Sequence, residues 1–339
     1  MASYVGIDIG NNTCKVALRD GRGLRIISSR MPDSVVDEDH QIVSPETLSA
    51  HLGALRREER IRERSCMLVL AEPEVFFRHA TLPPMTAEEV LLNLPYEFRD
   101  YITGDPSSYT YDYLVDELVK DEGGKVVRMD LFIAATSRKL TDMYSNVLRK
   151  AGFRLRAVIP PQIAYARLLE NRIAALGDTS TERQATSILV DIGHRSVQAC
   201  VLHGSHFEAS KTIDLGCQMF DTIIAELKGI DPYTAGTYKY SNFEGVLDSP
   251  ECQDLCERFC AEIERVISFY NYNNPEHSIS RMYLMGGGAQ ISQLSSAIAD
   301  RVSIPVFGAR ELLPRSVAED DLASACTLAI GGVLESEAM

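Results

Sequence analysis

Three short stretches of this chain carry residue types that handle phosphate and metal. In Val5–Leu18, VGIDIGNNTCKVAL, apolar residues alternate up to Asp8, a polar turn runs through Gly10, Asn11 and Asn12, and apolar sequence resumes at Val16. The pattern predicts a strand, a tight turn and a return strand. Gly10 takes the dihedrals such a turn demands, and Asn tolerates them better than most residues. The turn then leaves backbone N–H groups aimed one way, a nest for an anion. Asp8 closes the first strand, where a carboxylate can hold a hydrated Mg²⁺, and Lys15 on the return strand can reach a phosphate. Alone, the motif reads first as an empty β-turn and only second as a functional site. It recurs, however, at Ile188–Leu202, ILVDIGHRSVQACVL, with Asp191 and Gly193 in the places of Asp8 and Gly10. A third turn, Gly286-Gly287-Gly288-Ala289, joins a strand at Met282–Met285 to a helical pattern. Two Asp-x-Gly hairpins in separate halves, with a glycine-rich strand-to-helix turn, are what a phosphate clamp between two similar domains requires.

Bulk composition narrows the partners. The 339 residues suffice for two domains with separate cores, and 45% hydrophobic with 24% charged residues is ordinary for a globular protein. A net charge of −14 argues against nucleic acid or an anionic membrane surface as the main partner. It leaves room for a nucleotide bound by local turns and one lysine. There is no apolar run of about 18 residues, so no membrane-spanning helix is expected. The chain opens directly on strand-like sequence, so no signal peptide is expected either. Eight scattered cysteines suit a reducing cytoplasm.

The frame around the motifs reads as mixed α/β. Leu24–Ser29 predicts a third strand, Asp33–His40 an acidic turn region, Thr47–Ile61 an amphipathic helix and Cys66–Ala71 a strand buried on both faces. Phe76–Leu82 predicts a strand, and Ala87 to about Tyr101 a helix with Thr86 as N-cap, kinked or split at Pro95. Strands follow at Tyr109–Val115 and Val126–Ala135, and a helix at Leu140–Ala151. Leu155–Val158 resumes the first sheet, and a helix from Pro161 crosses to the second half. Gly177–Gln184 reads as a linker. Beyond the second hairpin come a strand at His206–Leu215, a helix at Met219–Leu227, a polar, aromatic stretch at Ile230–Gly245 and a long helix at Pro250–Tyr272. A helix at Ile291–Arg301, a strand at Ile304–Phe307 and a closing helix near Asp321–Glu335 complete the chain. The two Asp-x-Gly motifs start 183 residues apart, at Asp8 and Asp191, and the halves read as a diverged duplication.

The three turns resemble the phosphate-1, phosphate-2 and adenosine motifs of the actin-like ATPase superfamily. A narrower resemblance lies in Thr81–Tyr101, TLPPMTAEEVLLNLPYEFRDY, with Tyr111-Asp112-Tyr113 and Leu131–Ala151. These words are similar to the inserted subdomain of the type IV pilus assembly PilM family. The cell-division protein FtsA shares that insertion, but its amphipathic C-terminal tail has no counterpart in GGVLESEAM. The resemblance implies an α/β, duplicated ribonuclease H-like, actin-like ATPase fold. Domain I then takes residues 1–76, 155–180 and about 325–339; the insertion takes 77–154; and domain II takes 185–324, with a smaller subdomain near 228–280.

The same resemblance implies the site. ATP or ADP with Mg²⁺ would lie between the halves, with Asp8 and Asp191 on the metal. Gly10, Asn11, Asn12, Thr13, Lys15 and Gly193 would line the phosphates, and Gly286, Gly287 and Gly288 the adenosine. His194 and Arg195 would either touch phosphate or form a solvated loop. The family's Ala-Glu-x-x-Lys appears here as Ala235-Gly236-Thr237-Tyr238-Lys239, which keeps Lys239 by the base and puts Gly236 at the ribose position. Gln162 is the candidate for orienting water, and turnover is expected to be slow or absent. The implied partners are pilus assembly components, through the N-terminal peptide of a PilN-like membrane protein, in a cytoplasmic, membrane-peripheral scaffold; a homo-oligomer is compatible. The alternatives are a small-molecule kinase on this fold, which would need an unassigned carboxylate base, and a nucleotide-free scaffold. The aromatics Tyr96, Phe98, Tyr101, Tyr109, Tyr111 and Tyr113 read as the insertion's own core before a docking groove. Cys252, Cys256 and Cys260 read as core residues before a metal site.

Overall fold

The computed structural model describes residues 4–20, 23–33, 35–37, 41–70, 74–177 and 181–334. They form two compact units, Met1–Met31 with Gln162–Met339, and Pro32–Pro161. The first unit opens on an antiparallel meander: β1 (Val5–Ile9), β2 (Thr13–Asp20) and β3 (Gly23–Arg30). Val5 pairs with Leu18 and Ile7 with Val16, and all four side chains are buried.

The second unit holds α1 (Pro45–Glu58) and β4 (Ser65–Val69), then β5 (Val75–Leu82), α2 (Ala87–Glu97), β6 (Tyr109–Lys120), β7 (Val126–Ser137), α3 (Arg138–Lys150) and β8 (Arg154–Ile159). β4 and β8 pair in parallel, whereas β5, β7 and β6 form a separate antiparallel sheet in that order. α2 starts as expected: Thr86 Oγ1 accepts from Glu89 N while the Glu89 carboxylate accepts from Thr86 N, a closed capping box. It differs at the other end. One helix stops at Glu97, and Pro95 sits in its last turn without splitting it. A proline that late forfeits only one terminal bond, and Phe98 then leaves helical geometry. The aromatic cluster divides. Phe98 packs with Val90, Leu94, Leu131 and Ile133 in a small core, against which Tyr109, Tyr111 and Tyr113 lean. Tyr96 and Tyr101 are exposed.

The chain returns to the first unit through α4 (Pro161–Leu176). A second meander follows, β9 (Thr186–Ile192), β10 (Val197–His203) and β11 (His206–Ile213). Next come α5 (Gln218–Lys228), α6 (Pro232–Ser241), α7 (Pro250–Asn273), β12 (Ile279–Met285), α8 (Ser292–Arg301), β13 (Val306–Gly308) and α9 (Thr327–Val333). β12 joins β9 in parallel, giving the order β11-β10-β9-β12-β13. Alternation along β9 and β12 splits the core in two. Ile188, Val190, Met282 and Leu284 face α5, α7 and α8, whereas Leu189, Tyr283 and Met285 face Tyr165 and Leu168 of α4 and Ile330 of α9. Gly331 lets α9 lie against α4, because a Cβ there would collide with the Ala164 carbonyl.

Several boundaries differ from expectation. α6 occupies the stretch that read only as polar and aromatic; it has no apolar stripe and is set by its ends. Asp231 Oδ1 caps Thr234 N at 3.0 Å, Pro232 takes the first turn, and Asn242 ends the helix in left-handed geometry at φ 46°. The closing helix is short, with a 3₁₀ turn at Ala323–Cys326 before it; Glu335 lies outside the described residues. The linker reading falls partly on residues 178–180, which also lie outside, as do 34 and 38–40 of the acidic turn region. Its described part is pinned: Glu182 pairs with Arg172 at 3.4 Å and Arg281 at 3.2 Å. Cys252, Cys256 and Cys260 are buried beside Leu255, Phe259 and Ile263. Among the described residues no group of His, Cys, Asp or Glu could hold a metal ion by itself.

The second unit contains a titratable anchor. Burial pushes Glu74 up from 4.5 to about 7, against a hydrogen bond that its carboxylate accepts from Tyr144 Oη at 3.2 Å. A raised acid holds its proton in the folded state and loses it in the unfolded one, so its contribution to stability falls as pH rises from 4.5 through about 7. Glu74→Gln, which can still accept from Tyr144, should therefore raise the melting temperature at pH 8 and leave it nearly unchanged at pH 5. Thermal scans at both values check this; equal shifts at the two would refute it.

Candidate functional site

The first hairpin is built around one hydrogen-bonded turn. Gly10 N donates to Thr13 O at 3.1 Å, and Met31 N donates to Asn12 O at 2.9 Å, so the turn is held from within and from the end of β3. The β1–β2 register sets Asp8 opposite Lys15. Lys15 Nζ donates to Asp8 Oδ2 at 3.1 Å, with both side chains largely buried, and lies over Gly10.

The second hairpin repeats this geometry. Gly193 N donates to Ser196 O at 2.9 Å, the same bond as in the first turn, and Asp191 pairs with Gln198 where Asp8 pairs with Lys15. The duplication thus keeps both acids and only one lysine. His194 and Arg195 pack their backbone on the start of α5: Gln218 N donates to His194 O at 2.8 Å and Cys217 N to Gly193 O at 3.1 Å.

The two acids approach one another. Burial works against the Lys15 charge, but Asp8 and then Asp191 outweigh it and raise its pKa. Burial pushes Asp191 up to about 6; Lys15 opposes this and Asp8 reinforces it. Tyr165 Oη donates to Asp191 Oδ2 at 3.1 Å. The sequence reading missed Tyr165, although it lies one turn beyond Gln162 on α4, on the same helix face. Gln162 itself is buried. Its Nε2 donates to Ser210 Oγ at 3.2 Å, and its Oε1 has no hydrogen-bond partner among the described residues.

The glycine turn closes on this centre. β12 pairs Met285 with Asp191, so the turn springs from the strand end beside the acid. Gly286 has φ +85°, and a Cβ there would collide with Asp191 Oδ1. A Cβ on Gly288 would strike Ile192 and the Cys217 Sγ. Gly287 faces the Tyr240 hydroxyl, 3.4 Å from where its Cβ would stand. Beside the turn, Tyr240, Ala289, Gln290, Phe307, Arg310 and Ser324 border a cavity of about 850 Å³. Lys239 is buried under Tyr240. Its Nζ pairs with Asp221 Oδ1 at 2.6 Å and donates to Cys217 O at 3.2 Å. The sequence reading missed Asp221 and Tyr240. An aspartate on the apolar face of α5, between Phe220 and Ile224, was the available signal.

This donor set fits a hydrated divalent cation carrying a polyphosphate. Two carboxylates and one lysine leave the centre one negative charge, which a proton or a metal ion can balance. Two turns supply backbone donors, and the glycine turn has no side chain to block an approach beside an 850 Å³ cavity.

The profile of the family described as type IV pilus assembly protein PilM matches residues 6–313. No curated protein sequence matches significantly. Among solved structures, a PilM–PilN type IV pilus biogenesis complex aligns at 21% identity over 98% of this chain and 97% of that one, with a TM-score of 0.80. The ethanolamine utilization protein EutJ from Carboxydothermus hydrogenoformans aligns at 15% identity over 98% and 90%, with a TM-score of 0.59. MreB 5 of Spiroplasma citri bound to AMPPNP aligns at 12% over 98% and 95%, with a TM-score of 0.54. At these identities the structures speak for the fold, which is that of the actin-like ATPases. With the profile spanning most of its length, the chain belongs to the type IV pilus assembly protein PilM family.

Proposed function

We propose that this chain is an actin-like scaffold of type IV pilus machinery that binds ATP or ADP with Mg²⁺ and docks the N-terminal peptide of a PilN-like membrane protein. The observation that carries the nucleotide half is the convergence of Asp8 and Asp191 about Lys15. Asp8 and Asp191 would hold the metal and its waters, Lys15 a phosphate, and the turns at Gly10–Thr13 and Gly193–Arg195 the remaining phosphate oxygens. The base would enter the cavity beside Tyr240 and Gln290. Bound Mg²⁺ neutralises phosphate charge and polarises the oxygens it touches. Gln162 Oε1, buried and without a partner, would accept a hydrogen bond from the attacking water. An amide orients water without taking its proton, which suits an ATPase that is slow at most. The docking half draws on the PilM–PilN type IV pilus biogenesis complex and on α2, whose Leu92 and Tyr96 are 72% and 70% exposed one turn apart. Among the described residues no helix is long and apolar enough to cross a membrane, so attachment would come through the partner.

Titration calorimetry with Mg²⁺ and ATP should show binding that Asp191→Ala weakens by roughly 10–100-fold. Undiminished binding by the variant, or none by the folded wild type, would remove the nucleotide half.

A proton on Asp191 competes with the metal. Since the folded acid titrates near 6, Mg-nucleotide affinity should be level above pH 7 and fall by about tenfold per unit below 6. Calorimetry at pH 5 and 7.5 checks the direction.

For the docking half, Leu92→Glu or Tyr96→Glu should cut affinity for the PilN-type peptide by at least about tenfold. Neither should move the melting temperature, because both side chains are exposed. Peptide binding that ignores both substitutions would place the contact elsewhere.

A further inference from the structure

α6 has a gap, and a carboxylate lies beneath it. The three nearest atoms to a Cβ built on Gly236 are all from Asp221: Oδ1 at 3.4 Å, and Cγ and Oδ2 at 3.7 Å. These are ordinary contact distances, and Gly236 has no left-handed backbone to demand a glycine. A side chain would fit at 236; without one, that space borders the acid of α5.

The acid is fixed and incompletely satisfied. Oδ1 is sealed from solvent, and Lys239 Nζ lies 2.6 Å from it as an ion pair. Oδ2 accepts no hydrogen bond among the described residues, and the side chain keeps 11% exposure. Burial raises the Asp221 pKa, and the Lys239 charge opposes that rise.

The neighbourhood says what would meet it. Lys239 Nζ is bonded to Cys217 O, the Cys217 thiol abuts Gly288, and Tyr240 reaches Gly287. Asp221 is therefore linked through Lys239 and Cys217 to the glycine turn, whose other side meets Asp191. α6 runs from Tyr233, stacked under Arg30 at the end of β3, to Tyr240 at the cavity, with Gly236 between them, so a nucleotide with its phosphates at the hairpin turns and its base by Tyr240 would pass its sugar along this helix. A carboxylate is an acceptor without a donor, and the vicinal hydroxyls of a ribose are paired donors.

We propose that Asp221, reached through the gap at Gly236 and held by Lys239, accepts hydrogen bonds from the ribose hydroxyls of the bound nucleotide. The acid for the sugar is thereby supplied from α5 and not from α6. This rests on the nucleotide reading above and adds a preference to it: ribonucleotide over deoxyribonucleotide. A nucleotide lacking the hydroxyl leaves a desolvated acceptor unpaired, which sets a discrimination of about tenfold or more.

The test compares calorimetric affinities of the full chain for ADP, 2′-deoxy-ADP and 3′-deoxy-ADP, each with Mg²⁺. The wild type should bind ADP at least about tenfold more tightly than one of the deoxy forms. Asp221→Leu with Lys239→Met, which removes both charges together, should bind all three alike. Adding Gly236→Glu to that pair should restore the preference. Equal affinities in the wild type overturn the assignment while leaving the nucleotide reading intact, and need no variant to fold. A preference that survives in the folded pair variant overturns it too. A wild type that binds none of the three overturns the nucleotide reading, and this assignment with it.

Discussion

Two aspartates are buried close to one another and share one lysine, and the rest of the first unit is arranged around that tension. Like charges in a desolvated place oppose ionisation, and the strain falls on Asp191, which is pushed up to about 6. Lys15 offsets part of it through its 3.1 Å contact with Asp8. Tyr165 offsets a smaller part by donating to Asp191. A second lysine in place of Gln198 would neutralise the centre and remove its claim on a cation; no lysine would leave two facing anions. The two otherwise matching hairpins thus differ in charge at one position, Lys15 opposite Asp8 and Gln198 opposite Asp191.

The scaffold enforces that asymmetry through backbone. Both turns are closed by the same glycine N–H bond, so their donors are aimed before anything binds. The parallel pairing of β12 with β9 delivers the glycine turn to Asp191, and only glycine clears the acid at 286. α4 and α9 pack on one sheet face through Tyr165, Leu168 and Ile330, so the tyrosine that touches Asp191 is also a core residue. A group fixed by core packing cannot drift when the charge beside it changes.

The sequence made the hairpins, the glycine turn and most strands legible because each follows a strong local rule: period-two alternation, Asp-x-Gly before a turn, glycine where backbone must approach. Lys239 was legible as a residue but not as a buried partner of Asp221, since that pairing joins α5 to α6 across 18 positions and no local pattern records it. Tyr165 was hidden for a similar reason, as an aromatic in an apolar helix reads as core, which it also is. α6 was missed because its ends define it: Asp231 and Pro232 start it and Asn242 stops it, with no stripe between. Of the two outcomes read for Pro95, a kink or a split, the split does not occur: one helix runs through it and stops two residues later at Glu97.

The site also touches the point where the chain leaves this unit. Arg30, the last residue of β3, lies over the Tyr233 ring of α6 at 3.8 Å. Arg30 pairs with Thr13 across the sheet, and the next residue, Met31, donates to Asn12 O in the first hairpin turn. The turn, the end of β3 and the start of α6 are therefore one mechanical group. A cation–π contact of this kind is worth about 0.5–1 kcal/mol where exposed, enough to bias a hinge and too little to lock it. α6 also carries Lys239 and Gly236. Whatever moves α6 on binding thus loads Arg30, and Pro32, two residues on, begins the other unit. Three consecutive short-range contacts therefore join α6 to the first hairpin turn and to the last residues of β3, with no long relay between them.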